Sequence, residues 1–283
     1  MNTHHASPPP GITRRSLALL ALGLAAPLVR AQKSDTTDPQ ASPRWQQVRK
    51  SLFGTRPVRP GEGVIVLEAP PRAEDAAVVP IALRAQFPQT PARHIRRLML
   101  LIDNNPSPIA ATFDFTLDSG RAEVETRVRV DEYGFLRAVA ETNDGELYMA
   151  TRYVKASGGC SAPPGKDPSA ALASLGRMLL RVQGDPRSGE PVLAQLMINH
   201  PNHSGLVMDQ LTRQYTPAHF VRKVEVTYAG RPVLTADLDF AISENPHLRF
   251  WFVPKPPQGE LRATAVDSQD LRFEHAIGLG PPS

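Results

Sequence analysis

Residues 122–130 read Ala122-Glu123-Val124-Glu125-Thr126-Arg127-Val128-Arg129-Val130. Small and β-branched side chains alternate with Glu123, Glu125, Arg127 and Arg129. Successive side chains of a strand point to opposite faces, so this stretch turns one face to a core and the other to water. It predicts a half-buried antiparallel strand. Runs of similar character occupy 64–67, 78–83, 95–102, 136–140 and 147–154, separated by Asp103-Asn104-Asn105-Pro106, Asp118-Ser119-Gly120 and Asn143-Asp144-Gly145. Those are turn sequences. About seven short strands joined by turns predict a β-sandwich.

The composition agrees. Twenty-nine prolines in 283 residues are about twice the ordinary share, which disfavours long helices and a helical bundle. With 41% apolar residues the chain can bury a core in one large or two small domains. One short helix is expected near residue 45: Ser42 can cap it, Pro43 suits its first turn, Trp45, Val48 and Leu52 share a face, and Gly54 can end it. A second β region follows, where Leu234, Ala236, Leu238, Phe240 and Ile242 alternate with Thr235, Asp237 and Asp239, and Leu248, Phe250 and Phe252 follow Asn245-Pro246. Between the two regions, Asp167-Pro168 can start a helix running from Ala170 to Leu180. The expected fold is all-β, two sandwiches joined by a linker, with residues 32–155 in the first domain, 156–190 in the linker and 191–283 in the second.

The formal charge of +4 is mostly leader. Residues 1–31 hold Arg14, Arg15 and Arg30 and no acid, so the remainder is nearly neutral and a nucleic-acid partner loses its main support. Thr13-Arg14-Arg15-Ser16 precedes an uncharged run from Leu17 to Val29, the pattern of a cleaved export signal of twin-arginine type ending near Ala31. The run is shorter than the roughly 20 residues of a membrane-spanning helix. A periplasmic location without a membrane span is expected.

Cys160 is the only cysteine, which excludes an intramolecular disulfide and any multi-cysteine metal or cluster site. It lies in Ser157-Gly158-Gly159-Cys160-Ser161-Ala162-Pro163-Pro164-Gly165, where glycine frees the backbone before the thiol and proline stiffens it after. No large apolar residue lies within this loop, so an exposed, outward thiol on an arm of Gly158, Gly159 and Ser161 is expected. Lys155 and Lys166 flank it; they can favour the thiolate, but are expected to be solvated loop lysines. A lone thiol cannot resolve its own mixed disulfide, and a Gly-Gly arm is a poor platform for a Cys-His constellation. A handle loaded and unloaded by other proteins fits better than a catalytic site, so no catalytic residue is assigned.

The remaining candidates carry less. His200 and His203 stand three apart with His219 and His247 elsewhere, without a thiol or acidic companion in the motif, and are expected to be ordinary loop histidines; no metal site is assigned. Arg93, His94, Arg96 and Arg97 are expected on a solvated strand edge. No haem-attachment motif, phosphate loop, Gly-x-Ser-x-Gly elbow or His-Glu-x-x-His motif occurs, and no dissociable cofactor is expected.

Two sets of motifs in order carry a family resemblance. Val66-Leu67-Glu68-Ala69-Pro70, Ala73-Glu74-Asp75, Val78-Val79-Pro80, Asn105-Pro106, Ser119-Gly120-Arg121-Ala122-Glu123-Val124, Ala138-Val139-Ala140-Glu141, Asp144-Gly145 and Gly158-Gly159-Cys160 resemble the SoxY sulfur carrier proteins over about residues 45–162. His200-Pro201, Ser204-Gly205, Pro217-Ala218-His219-Phe220, Gly230-Arg231-Pro232-Val233 and Ser243-Glu244-Asn245-Pro246-His247-Leu248-Arg249-Phe250 resemble SoxZ. The resemblance implies two immunoglobulin-like sandwiches that pack on each other, and a Cys160 that carries covalently bound sulfur on a swinging arm for periplasmic sulfur-processing enzymes. The fused layout resembles the carriers associated with quinoprotein (pyrroloquinoline quinone) dehydrogenases, and an adaptor for such a dehydrogenase, with the thiol incidental, is the alternative. Two departures stand out. Ser161-Ala162-Pro163-Pro164 replaces the trailing glycines of a free tail, and Asn202-His203 stands where SoxZ usually has Met-Glu.

Overall fold

The computed structural model describes residues 38–163, 173–186, 189–208, 212–255 and 259–279. The expected export signal, Lys166 and the start of the expected second helix lie outside them.

The first half contributes α1 (Pro43–Phe53) and eight strands: β1 (Val58–Pro60), β2 (Ile65–Glu68), β3 (Val79–Ala85), β4 (Ile95–Ile102), β5 (Ile109–Phe115), β6 (Glu123–Val128), β7 (Gly134–Thr142) and β8 (Leu147–Val154). The second contributes β9 (Met178–Gln183), β10 (Val192–Ile198), β11 (Val221–Tyr228), β12 (Arg231–Leu238), β13 (His247–Phe252), β14 (Glu260–Asp267) and β15 (Arg272–Gly278). The helix forms as its signals dictate: Ser42 Oγ accepts the Trp45 N–H at 3.3 Å, and Gly54 closes it at φ +58°.

Each half is a sandwich, and the halves join edge to edge. The nine-stranded sheet runs β1-β8-β7-β4-β5-β12-β11-β14-β15 and the six-stranded sheet runs β2-β3-β6-β13-β10-β9. At the seam β5 pairs antiparallel with β12 from Phe115↔Leu234 to Ala111↔Leu238, and β6 pairs with β13 at Glu125↔Arg249 and Val124↔Phe250. One hydrophobic core fills the space between the sheets and contains residues of both halves, among them Phe113, Val124, Phe250 and Ala236, all at most 1% exposed. The edges that β5, β6, β12 and β13 would expose in separate halves are each covered by the other half.

A smaller cluster sits on the outer face of the nine-stranded sheet, where Trp45 and Phe53 of α1 pack on Met99, Leu101, Val139, Leu147 and Met149. Arg137 anchors it. Its fully buried guanidinium makes two bonds to Asp103, at 2.7 and 2.6 Å, bonds the Pro39 carbonyl at 2.7 Å and lies 4.4 Å from the Trp45 ring centroid.

Three expectations change. Residues 178–183, expected as helix end and linker, are strand β9, paired with β10 from Met178↔Ile198 to Gln183↔Leu193. The second sandwich therefore begins before residue 191. The basic run Arg93–Arg97 is not at a sheet edge, because β4 lies between β7 and β5. Its charges are taken up locally: Arg97 binds both oxygens of Asp114 at 2.6 and 3.0 Å, and Arg96 pairs with Glu141 at 2.9 Å. Arg129, expected to face water, is 7% exposed.

Because the seam is backbone ladder and shared core, a chain cut between Pro163 and Ala173 is expected to stay together, with both pieces eluting as one species from a sizing column at micromolar concentration. Separate elution would show that the connection alone holds the halves.

Candidate functional site

Cys160 closes the Gly-Gly segment that leaves β8, and the structure places its thiol inside the protein. The residue is 1% exposed, which overturns the expected outward side chain. The loop itself is polar, as read, but the burying surface comes from elsewhere in the chain. Gly158 donates its N–H to the Asp131 carbonyl at 2.7 Å and Gly159 to the Val130 carbonyl at 3.0 Å. Val130 donates in turn to Ala76 O at 2.9 Å. From the second half Ser204 Oγ donates to the Cys160 carbonyl at 2.6 Å. Ser161 Oγ reaches back to Gly158 O at 3.3 Å. The seat is built across both halves.

The glycines have separable roles. Gly158 adopts φ +78° with open space around it, a turn conformation that suits glycine. Gly159 is needed for closeness: a Cβ there would lie 2.1 Å from the Ala76 carbonyl oxygen and 2.7 Å from that of Val130. The segment is thus docked by backbone contact that no other residue permits.

The electrostatics follow from the burial. Desolvation pushes the Cys160 thiol up to about 12, with Asp131 and Asp239 adding to the shift and Arg129 opposing it. Among the described residues these are the charges acting on the thiol, Lys155 is not one of them, and Lys166 lies outside the described residues. The Lys155 backbone forms an isolated parallel β-bridge with that of Arg72. Arg129 is fixed by the loop between β12 and β13, its Nη1 donating to Phe240 O at 2.9 Å and Ile242 O at 2.6 Å. Burial lowers its own pKa.

The Ser204 loop is shaped by the residues that depart from the SoxZ pattern. Asn202 takes φ +47°, a left-handed conformation that asparagine tolerates. Its side chain donates to Ile242 O at 3.0 Å and accepts the Val221 N–H at 3.0 Å. The His203 carbonyl accepts the His219 N–H at 3.0 Å.

Of the four histidines, the structure brings His200 and His219 together, with rings 4.5 Å apart, around the fully buried Asp267. His219 Nε2 is 2.7 Å from Asp267 Oδ2, and His200 Nε2 is 3.5 Å from the same oxygen. Asp267 Oδ1 meanwhile accepts from Gln269 and Leu271. These three groups have the proximity of a ligand set, but His200 Nδ1 accepts the Asn202 N–H at 3.0 Å, which keeps the proton on Nε2, the atom a metal would need. His219 is hydrogen-bonded to Asp267 and, through its backbone N–H, to the loop that carries Ser204, while His200 Nε2 is buried beside them without a hydrogen-bond partner. Two of the expected loop histidines are therefore core residues.

Two predictions come from this geometry. Ser204→Ala removes a hydrogen bond worth about 1 kcal/mol, so the docked segment opens about fivefold more often; the rate of Cys160 reaction with a small aromatic disulfide should rise accordingly. In Gly159→Ala, where docking clashes, it should approach that of the urea-unfolded chain. Unchanged rates in both would mean the thiol is reached without undocking. The second concerns pH. Burial first, then His219, holds His200 at about 4 instead of 6.5, so between those values the unfolded chain binds more protons and stability falls as pH drops. The loss is about 3 kcal/mol across the window. Urea unfolding at pH 7, 5.5 and 4 should show that loss in the native chain and a smaller one in His200→Gln; equal slopes would assign it to other groups.

Comparison with known proteins places both halves. Residues 49–160 match the family model for sulfur oxidation protein SoxY, and residues 180–277 match that for sulphur oxidation protein SoxZ. Similar solved structures include the sulfur carrier protein SoxY from Chlorobium limicola f thiosulfatophilum, 28% identical over 40% of this chain and 96% of that one, with TM-score 0.33. A superoxide reductase (neelaredoxin) from Ignicoccus hospitalis is 18% identical over 33% of this chain and 80% of that one, with TM-score 0.30. No curated protein matches. The first family match ends at Cys160 and the second begins within β9, so the two sandwiches that share their sheets here are a SoxY domain and a SoxZ domain, and the chain belongs to the SoxY–SoxZ sulfur carrier family as a fusion of the two.

Proposed function

We propose that this protein is a periplasmic carrier that holds covalently bound sulfur on Cys160 and presents it to partner enzymes, with the chemistry done by those enzymes and not by the carrier. The observation that carries this reading is the Ser204–Cys160 contact at 2.6 Å. It ties the cysteine at the end of the SoxY domain to the SoxZ domain, so the only thiol of the chain has a dedicated seat at the junction of both. Docked, the thiol is neutral and shielded. Its pKa of about 12 lowers the thiolate fraction about a thousandfold from that of a thiol near 9. Undocked on Gly158 and Gly159, it recovers an ordinary acidity and can be loaded. Carriage thus alternates between a stowed and a presented arm.

The partners are sulfur-processing enzymes or a quinoprotein (pyrroloquinoline quinone) dehydrogenase system, in keeping with the resemblance to fused carriers of that association. The tethered segment suits a partner with an open cleft better than a deep tunnel, because the chain continues past Ser161 and Pro163.

The burial of Cys160 favours a second reading, in which the protein is a non-catalytic adaptor for such a dehydrogenase and the thiol is a packed core residue. Mass spectrometry of the non-reduced mature protein purified from its native host separates the two. The carrier reading expects Cys160 to bear sulfur adducts that are absent in Cys160→Ser, with folding kept. A uniformly unmodified thiol, together with a loss of more than about 2 kcal/mol on that substitution, would establish the adaptor.

A further inference from the structure

The seam opens a groove on the outer face of the six-stranded sheet. The β6–β13 ladder ends at Glu125↔Arg249. The next pair facing the same side in that register is Arg127 and His247, and here the two strands no longer bond to each other. Each remains held by its own half: Arg127 lies opposite Pro80 of β3, and His247 lies opposite Met197 of β10. The opening between them is a cleft of about 710 Å³, in the size range of small-molecule sites.

The charges lining it are unevenly satisfied. Arg84 is taken by Glu68, Glu123 and Glu125, and Arg249 by Glu125 at 2.6 Å. Arg127 lines the same cleft and forms no ion pair among the described residues, and its Nε is shielded from solvent with no hydrogen-bond acceptor. The residue is half-buried, so the rest of its guanidinium can meet a ligand in the cleft, where it is the arginine left without a carboxylate among the described residues. The acids of the cleft are already engaged by Arg84 and Arg249. Burial, then Arg127 and Arg249, lower the pKa of His247 beside it against an opposing pull from Glu125, which favours the neutral ring as a hydrogen-bonding group. Pro80 and Met197 flank Arg127 and His247 in register, Pro70 adds apolar surface, and Gln195 is a further polar residue of the lining.

We propose that this cleft binds a small organic anion, whose carboxylate pairs with Arg127 while its apolar body lies against Pro70, Pro80 and Met197. Arginine's planar fork matches a carboxylate. The surrounding apolar surface distinguishes such a ligand from a bare inorganic ion. The proposal is independent of the chemistry at Cys160.

Calorimetric titration of the full mature chain with benzoate, benzyl alcohol and sulfate tests it. Benzoate should bind saturably, about tenfold more weakly to Arg127→Gln, more tightly than sulfate, and without competition from benzyl alcohol. No saturable benzoate binding, equal affinity in the variant, competition by benzyl alcohol, or sulfate binding as tight as benzoate would overturn it. Should Arg127→Gln fail to fold by circular dichroism, the Arg127 Nε–H resonance of the native chain decides: a shift on benzoate addition supports the site, and an unmoved resonance overturns it.

Discussion

The antiparallel pairing of β5 with β12 and of β6 with β13 is the constraint on which the rest depends. Backbone hydrogen bonds of a sheet edge are obligatory groups that need partners, and here each half supplies the other's. Continuity of both sheets fixes the register between the halves at the level of single residues. Loops at the same end of the two sandwiches are thereby held at bonding distance. Ser243 Oγ reaches Ala77 O at 2.7 Å, and Arg129 reaches the carbonyls of Phe240 and Ile242. A flexible pairing of two separate domains would not position Ser204 against Cys160.

The seat so formed controls the thiol by solvation more than by charge. A cation close to a cysteine ordinarily favours the thiolate, and Arg129 acts in that sense. Desolvation together with Asp131 and Asp239 outweighs it. The buried guanidinium has a structural role of its own, since it satisfies two loop carbonyls that the end of β12 leaves without strand partners. Beside the Ser204 loop, His200 and His219 pack around the buried Asp267, and the His219 N–H ties this cluster to the loop through the His203 carbonyl.

How much of this was readable depends on where the determining contacts lie. The alternation at 122–130 gave β6, and the local cap signals gave α1, because both are written within one turn or one strand. Strand β5, Ile109-Ala110-Ala111-Thr112-Phe113-Asp114-Phe115, escapes such a reading: as an interior strand at the seam it buries Ala110, Ala111 and Phe113, so the polar alternation of a half-solvated strand is weak. Strand β9 carries Met and Leu, good helix formers, and is a strand because β10 pairs with it; tertiary pairing overrides propensity. The Gly-Gly-Cys segment is legible in the sequence, but the residues within the loop do not determine its exposure. Its covering residues, Ala76, Val130 and Ser204, are distant in sequence, and only the fold brings them there. Arg129 fails for the same reason, since the alternation that should turn it to water stops when β6 ends at Val128.

The energetics of docking are compatible with carriage. Three hydrogen bonds hold the segment to its seat, from Gly158, from Gly159 and to Ser204. At about 1 kcal/mol net each they leave an open population on the order of 1 in 100. On the proposed carrier role, such a population would keep the thiol out of water most of the time while costing a partner that recognises the presented arm only that factor in affinity. A deeper seat would lock the thiol away and a shallower one would leave it to any passing oxidant. The close contact of Gly159 with the Ala76 and Val130 carbonyls secures a tight seat, while Gly158, with open space around it, is the position where the proposed arm would hinge.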